Sequence, residues 1–318
     1  MPRRGRFVPQ GIIPAVLLPF DDTLAIDEPS FRAHLRDVGE VQGLSAITVN
    51  AHSTEVASCT EDEQRRVMEI AGEEVGEALP IIHGVWADGS LEAARIARMA
   101  TQAGASALLV FPPAPFTMGQ TADMALAHFK RIAEASDLPI IAFQYPLASG
   151  QGYPRETLLR LAQEVPTIAA IKDWAGNVPQ HEMHIRMLQS LPRPVHVLTT
   201  HSAWLLSSLV LGCNGLLSGS GSVIADLQAE LFGAVQAGDL PAARRLNDRI
   251  YPLARVFYSE PWSDMHNRMK EALVLLGRLP RAVVRPPLVK LGRAEIDRIA
   301  AALVESGLLA AKGSRDAA

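Results

Sequence analysis

Residues 168–174 read Ile168-Ala169-Ala170-Ile171-Lys172-Asp173-Trp174, a short apolar run closed by a lysine. A run this brief, with isoleucine at both ends, predicts a buried strand over 168–171, with Lys172 where the strand gives out. The same unit recurs on both sides. Upstream, strands are predicted at 12–18, 46–49, 80–83, 107–111 and 139–143; downstream, at 195–198 and 215–217. Between them, apolar spacing near 3.6 residues over 31–41, 61–75 and 91–103 predicts helices, with Asp88, Thr121 and Ser202 as N-caps. Gly43-Leu44-Ser45, Gly104-Ala105-Ser106, Asp137-Leu138-Pro139 and Gly212-Cys213-Asn214 lead into strands as αβ loops do.

Eight βα units in series, with no break in composition, predict an α/β fold of the (β/α)8 TIM-barrel type. An open doubly wound sheet more often has a glycine-rich phosphate turn after its first strand, whereas Leu18-Pro19-Phe20-Asp21-Asp22 contains no Gly-x-Gly. The barrel is expected to fill residues 1–236. Beyond it, residues 237–318 read as a C-terminal helical extension packed on the barrel, with three helices at 240–257, 264–276 and 294–308. Arg285-Pro286-Pro287 links the last two helices, and a polar tail is expected over 312–318.

The 318 residues suit one barrel plus an extension, since barrels take roughly 250. A net charge of −4, with no basic stretch interleaved with aromatics, argues against a nucleic-acid partner. Cys59 and Cys213 have no metal-ligand spacing and read as small core residues. Arg3, Arg4 and Arg6 before the apolar run 12–20 resemble a signal peptide. Pro14, Pro19 and Asp21-Asp22 spoil that pattern, and no window is long enough to span a bilayer. The expectation is a cytoplasmic protein without a membrane partner.

In a barrel the chemistry belongs to the carboxyl ends of the strands. Lys172 stands at such an end, in a chain with five lysines among 30 basic residues. Arginine cannot lose its proton or form an imine, whereas a desolvated lysine can do both. On position alone, an ion pair with a strand-end carboxylate reads equally well. Ala51-His52-Ser53-Thr54-Glu55 offers amides and hydroxyls suited to a carboxylate, although such turns are also common without a ligand. His52 and His201 fall on the active face, while His83, His181, His184 and His196 read as structural. Ser218-Gly219-Ser220-Gly221 reads either as a phosphate cradle or as a plain flexible turn. No strand end carries a metal-ligand cluster.

Together these segments resemble the dihydrodipicolinate synthase / N-acetylneuraminate lyase family over nearly the whole chain. Gly11-Ile12-Ile13-Pro14-Ala15, Pro80-Ile81-Ile82-His83-Gly84-Val85, Pro139-Ile140-Ile141 and Ile171-Lys172-Asp173 are similar to its first, third, fifth and sixth strands. Arg285-Pro286-Pro287-Leu288 resembles its C-terminal helical motif. The resemblance implies a cofactor-free lyase, tetrameric or dimeric, whose strand-six lysine (Lys172) forms a Schiff base with a 2-keto acid. The family's carboxylate-binding Gly-Thr-Thr-Gly-Glu turn falls on residues 51–55, with His52 and Ser53 in place of its threonines.

The family's proton-relay tyrosine falls on Phe143, which leaves Tyr145 as a weak substitute. Its second-carboxylate arginine falls on Ala148, and its Tyr-Tyr pair on Pro113-Ala114. These departures argue against dihydrodipicolinate synthesis itself. Gln144 with Ala148-Ser149-Gly150 is more similar to the branch that dehydrates 2-keto-3-deoxy sugar acids. The expected site is therefore Lys172 and His52 for catalysis, with Ser53, Thr54, Phe143, Gln144, Tyr145, Trp174, Ser218 and Gly219 around the substrate. The alternatives are a pyruvate condensation like that of dihydrodipicolinate synthase, a non-catalytic keto-acid binder, and a barrel enzyme using a metal or phosphate at the strand-eight loop.

Overall fold

The computed structural model describes residues 7–310; Arg3, Arg4, Arg6 and the tail at 312–318 lie outside them. Eight parallel strands alternate with helices. The strands are β1 (Gly11–Pro14), β2 (Ile47–Val49), β3 (Ile81–Val85), β4 (Ala107–Val110), β5 (Ile140–Gln144), β6 (Ile168–Asp173), β7 (His196–Thr199) and β8 (Gly215–Ser218). From β2 to β8 each strand pairs with the next in sequence, and β8 returns to pair with β1, which leaves a seam between β1 and β2. Bridges from Ile12 to Leu44 and from Ala15 to Thr48 close the remaining seam. The fold is a (β/α)8 barrel with further C-terminal helices.

The intervening helices are α1 (Glu28–Gly39), α2 (Glu61–Val75), α3 (Ser90–Gln102), α4 (Ala122–Ala133), α5 (Arg155–Glu164), α6 (Val178–Gln189), α7 (Leu205–Val210) and α8 (Gly221–Gln236). Three more follow: α9 (Leu240–Phe257), α10 (Met265–Leu275) and α11 (Arg293–Glu305). Thr121 caps α4 by accepting from the Met124 N–H, as expected. Asp88 and Ser202 do not cap. Gly89 occupies the N-cap of α3, and Ser202 lies inside a short 3-10 turn whose entry residue is His201. Gly104 and Gly212 sit at φ 90° and 95°, the left-handed backbone that an αβ loop needs and a side chain resists.

Two features differ from the expected elements. β1 ends at Pro14, although Leu17 and Leu18 remain fully buried, because the chain leaves the ladder once it has bridged to Thr48. Arg285–Leu288 forms no helix; it runs as irregular chain between α10 and α11.

Alternation along the strands sorts the core into two layers. Ile12, Ile140, Ala142 and Ile171 face the helices, whereas Ile13, Ile141, Phe143, Tyr145, Ala170 and Leu198 fill the barrel interior. Small residues (Ala46, Ala107 and Ala170) lie towards the amino-terminal ends of their strands. The aromatics Phe111, Phe143 and Tyr145 come at or just beyond the carboxyl ends and crowd the mouth. Among the described residues no helix is long and apolar enough to cross a membrane.

Candidate active site

Lys172 belongs to the last turn of the pleat in β6, where its register partners are Phe143 on β5 and Leu198 on β7. Two residues on from inward-facing Ala170, its side chain shares the interior face. It is 6% exposed, and its Nζ lies 4.3 Å from the centre of the Phe143 ring. Burial pulls its pKa down from 10.5 to about 7. No carboxylate among the described residues stands within ion-pairing reach of it. The neighbouring Asp173 is turned the other way. Burial would raise its pKa, but hydrogen bonds to His181 and His184, each 2.8 Å, hold the carboxyl well below the usual range. These two histidines are structural, as are His83 beside Asn50 and His196 beside the Pro9 carbonyl.

The turn after β2 brings in His52. Its Nε2 lies 2.6 Å from the Tyr145 hydroxyl, and its ring packs against Trp86, Phe111 and Phe143. Burial, and then the nearby Lys172 charge, lower its pKa to about 3, so the imidazole is neutral at ordinary pH. Burial also raises the pKa of Tyr145, which stays a phenol. Tyr145 lies just past the end of β5, yet it keeps the strand's alternation and stacks 4.6 Å from Phe143. Ser53 Oγ is buried without a hydrogen-bond partner.

Glu55, in left-handed conformation at φ 51°, anchors this turn from below. Its carboxylate accepts from Lys270 Nζ at 2.5 Å and from the Arg285 N–H at 2.9 Å. Lys270 comes from α10 and Arg285 from the irregular chain beyond it, so the C-terminal helices fasten the loop. A cavity of ≈ 540 Å³ opens between the barrel mouth and those helices. Lys172, His52, Phe143 and Trp174 line its barrel side; Tyr258, Trp262, Met265 and His266 line the other. Burial drives the pKa of His266 well down. Gly219 has no side chain because the imidazole occupies that space: a Cβ there would meet His266 Nε2 at 2.8 Å.

Five expected site residues thus meet: Lys172, His52, Phe143, Trp174 and Gly219 line the cavity, with Tyr145 behind His52. Others are placed elsewhere. The Gln144 amide is locked onto the backbone N–H and carbonyl of Tyr153 and is fully buried outside the wall. Thr54 spends its hydroxyl on the Ala51 carbonyl. Ser218 bonds Ser220, which also receives the Gln228 amide, so the strand-eight loop satisfies itself rather than cradling a phosphate. His201 accepts the Gly176 N–H and stacks on Trp204, away from the cavity. No cluster able to hold a metal occurs among the described residues. Both cysteines are free, Cys213 buried and Cys59 partly so.

The sequence reading missed Tyr258, Trp262, His266 and Lys270. Scarcity of lysine was the one available signal, and it pointed to Lys270 as much as to Lys172.

The sequence model of the Dihydrodipicolinate synthetase family matches residues 8–306 of this chain. The chain belongs to that family. It is 30% identical over 300 residues to the 4-hydroxy-tetrahydrodipicolinate synthase of Maridesulfovibrio salexigens, covering 94% of this chain and 99% of that one. The enzyme of the same name from Dechloromonas aromatica is likewise 30% identical over 300 residues, with the same coverage. Among solved structures, YagE, a prophage protein of the family from E. coli K12 in complex with pyruvate, superposes with a TM-score of 0.88 at 23% identity. That superposition covers 95% of this chain and 99% of YagE, and at such identity the likeness speaks for the fold. The family's enzymes are Schiff-base lyases of the class I aldolase type, and this chain is one of them.

Proposed function

We propose that Lys172 condenses with the C2 carbonyl of a 2-keto acid, and that the resulting imine drives bond cleavage beyond C3. The observation that carries this reading is a buried amine with no carboxylate beside it, opening onto a cavity. Near pH 7 about half of such amines are free to attack, against fewer than one in a thousand for an ordinary lysine. Ser53 Oγ and the amides of His52 and Ser53 would receive the substrate carboxylate, which supplies the partner that the buried hydroxyl lacks. Phe143 holds the position of the relay tyrosine without a hydroxyl. The His52–Tyr145 pair takes over that work: a neutral imidazole hydrogen-bonded to a phenol accepts a proton at one end and releases one at the other. Thr54, Gln144 and Ser218 shape the walls from behind.

A condensation that uses a second carboxylate is less well supported. Among the described residues the one guanidinium at the cavity, that of Arg285, is committed to Glu63 and to the Ser58 and Leu24 carbonyls. A 2-keto-3-deoxy sugar acid rests on Gln144 and residues 148–150, and none of these faces the cavity. The reading carries with it a small keto acid as partner and a cytoplasmic homo-oligomer, tetramer or dimer, that sedimentation can establish. The decisive experiment is borohydride reduction in the presence of pyruvate, followed by peptide mass spectrometry. The expected adduct sits on the Lys172 peptide and vanishes in Lys172→Ala. An unmodified Lys172 after treatment with a panel of 2-keto acids would refute the proposal.

A further inference from the structure

Four polar side chains stand on the cavity wall across from His52: Thr200, Tyr258, Ser263 and His266. They are not equivalent. Ser263 is exposed and Thr200 half-buried, so water reaches both hydroxyls. The Tyr258 hydroxyl already accepts the Ser220 N–H at 3.3 Å and lies 3.4 Å from Ser218 Oγ. His266 is the exception. It is only 8% exposed, yet its ring makes no hydrogen bond among the described residues. The other imidazoles near the mouth are engaged, His52 with Tyr145 and His201 with the Gly176 N–H.

The surrounding chain holds this ring in place. Its Nε2 lies 2.8 Å from where a Cβ on Gly219 would stand, so the strand-eight loop gives up a side chain to it. Its helix, α10, is fastened on both sides. Arg268 gathers the carbonyls of Phe257, Ser259, Glu260 and Pro261, and Lys270 pairs with Glu55. A fixed imidazole sealed from water without a partner carries a desolvation penalty that a ligand atom in the cavity would relieve. Burial drives its pKa well down, so the ring is neutral. A neutral imidazole offers one acceptor and one donor, which suits a hydroxyl better than an anion.

We propose that His266 is a specificity-determining residue whose imidazole hydrogen-bonds a hydroxyl on C4 of the substrate. The inference rests on the Schiff-base reading of Lys172. A keto acid bound there, with its carboxylate at the turn over residues 51–55, sends whatever follows C3 towards the wall that His266 occupies. A hydroxyl at C4 completes the ring's hydrogen bonding and fixes that carbon across the cavity from the amine. A methyl group in its place leaves the ring unpartnered. One neutral hydrogen bond in such a setting is worth about tenfold in affinity.

The test is borohydride trapping on the full-length enzyme with 4-hydroxy-2-oxobutanoate and with 2-oxobutanoate, which differ by that one hydroxyl. Occupancy of Lys172 is read by peptide mass spectrometry, and pyruvate formed by turnover of the hydroxy acid is counted with the intact adduct. The hydroxy acid should reach half-occupancy at about tenfold lower concentration. His266→Phe should bring the two concentrations together, a ratio that general damage to the fold does not move. Gly219→Ala, whose Cβ must push the ring aside, should narrow the ratio as well. A parent enzyme without the preference, or a preference kept in His266→Phe, overturns the inference. Should His266→Phe trap neither acid, a parent-like ratio in Gly219→Ala overturns it equally. Adducts on Lys172 without a preference defeat this inference alone; no adduct from either acid defeats the Schiff-base reading with it.

Discussion

Lys172 and Lys270 are both buried, and burial lowers the pKa of each. Lys270 has Glu55 at 2.5 Å to offset that; Lys172 has an aromatic ring and open space. The difference sets a pH signature. Only the free amine attacks a ketone, so trapping of pyruvate should rise about tenfold per pH unit below neutrality and flatten above the Lys172 pKa of about 7. A profile still climbing steeply at pH 9 would mean an ordinary, solvated amine. The same shift has a cost to the fold. Between pH 7 and 10.5 the unfolded chain holds a proton on this residue that the native state has lost, so stability rises with pH across that window. Lys172→Met removes the penalty. It should unfold at higher urea than the parent at pH 7, with the gap closing towards pH 10. Tyr145→Phe breaks the contact with His52, and turnover should fall roughly 100-fold while pyruvate is still trapped.

The turn over residues 51–55 is the element on which the site depends, and it does not hold itself. Its left-handed Glu55 is pinned from α10 by Lys270 and from the irregular chain beyond it by Arg285, more than two hundred residues away in sequence. Lys270→Met should therefore leave a buried carboxylate without its cation and cost about 3–5 kcal/mol in urea unfolding. Adding Glu55→Gln should recover much of that loss, since the uncompensated charge is then gone. If the double variant is no more stable than the single one, the ion pair is not what fastens the turn. The motif itself was legible as a run of amides and hydroxyls near a strand end. Its anchor was not, because nothing local to Lys270 distinguishes an amine that meets a carboxylate from one that meets water.

Across the whole molecule, five imidazoles are buried and a sixth, that of His52, is half-buried, and all six have lowered pKa values. His34, His83, His128 and His201 are near 4, His52 is near 3, and His266 is well down. Below pH 6.5 the unfolded chain takes up these protons and the native state does not, so stability is lost as the pH falls. Each group contributes about 1.4 kcal/mol per pH unit in that range. Urea unfolding between pH 7 and 5 should show a steep decline, and a flat profile would mean that the imidazoles are solvated. The barrel itself was readable from order alone. Eight apolar runs spaced by helical periods leave few other ways to bury them, and its place at the close of the sixth run already put Lys172 at the barrel mouth. What the chain did not disclose locally was which polar groups are free. Gln144, Ser218 and His201 have the chemistry of a site and are consumed by neighbours. Tyr258, Trp262 and His266 reach it from helices packed back over the mouth. Residue type and period-two alternation are carried by adjacent residues, so sequence determined the strands and the lysine. Hydrogen-bond partners and cavity walls come from segments brought together only by folding, and the tertiary structure alone decided them.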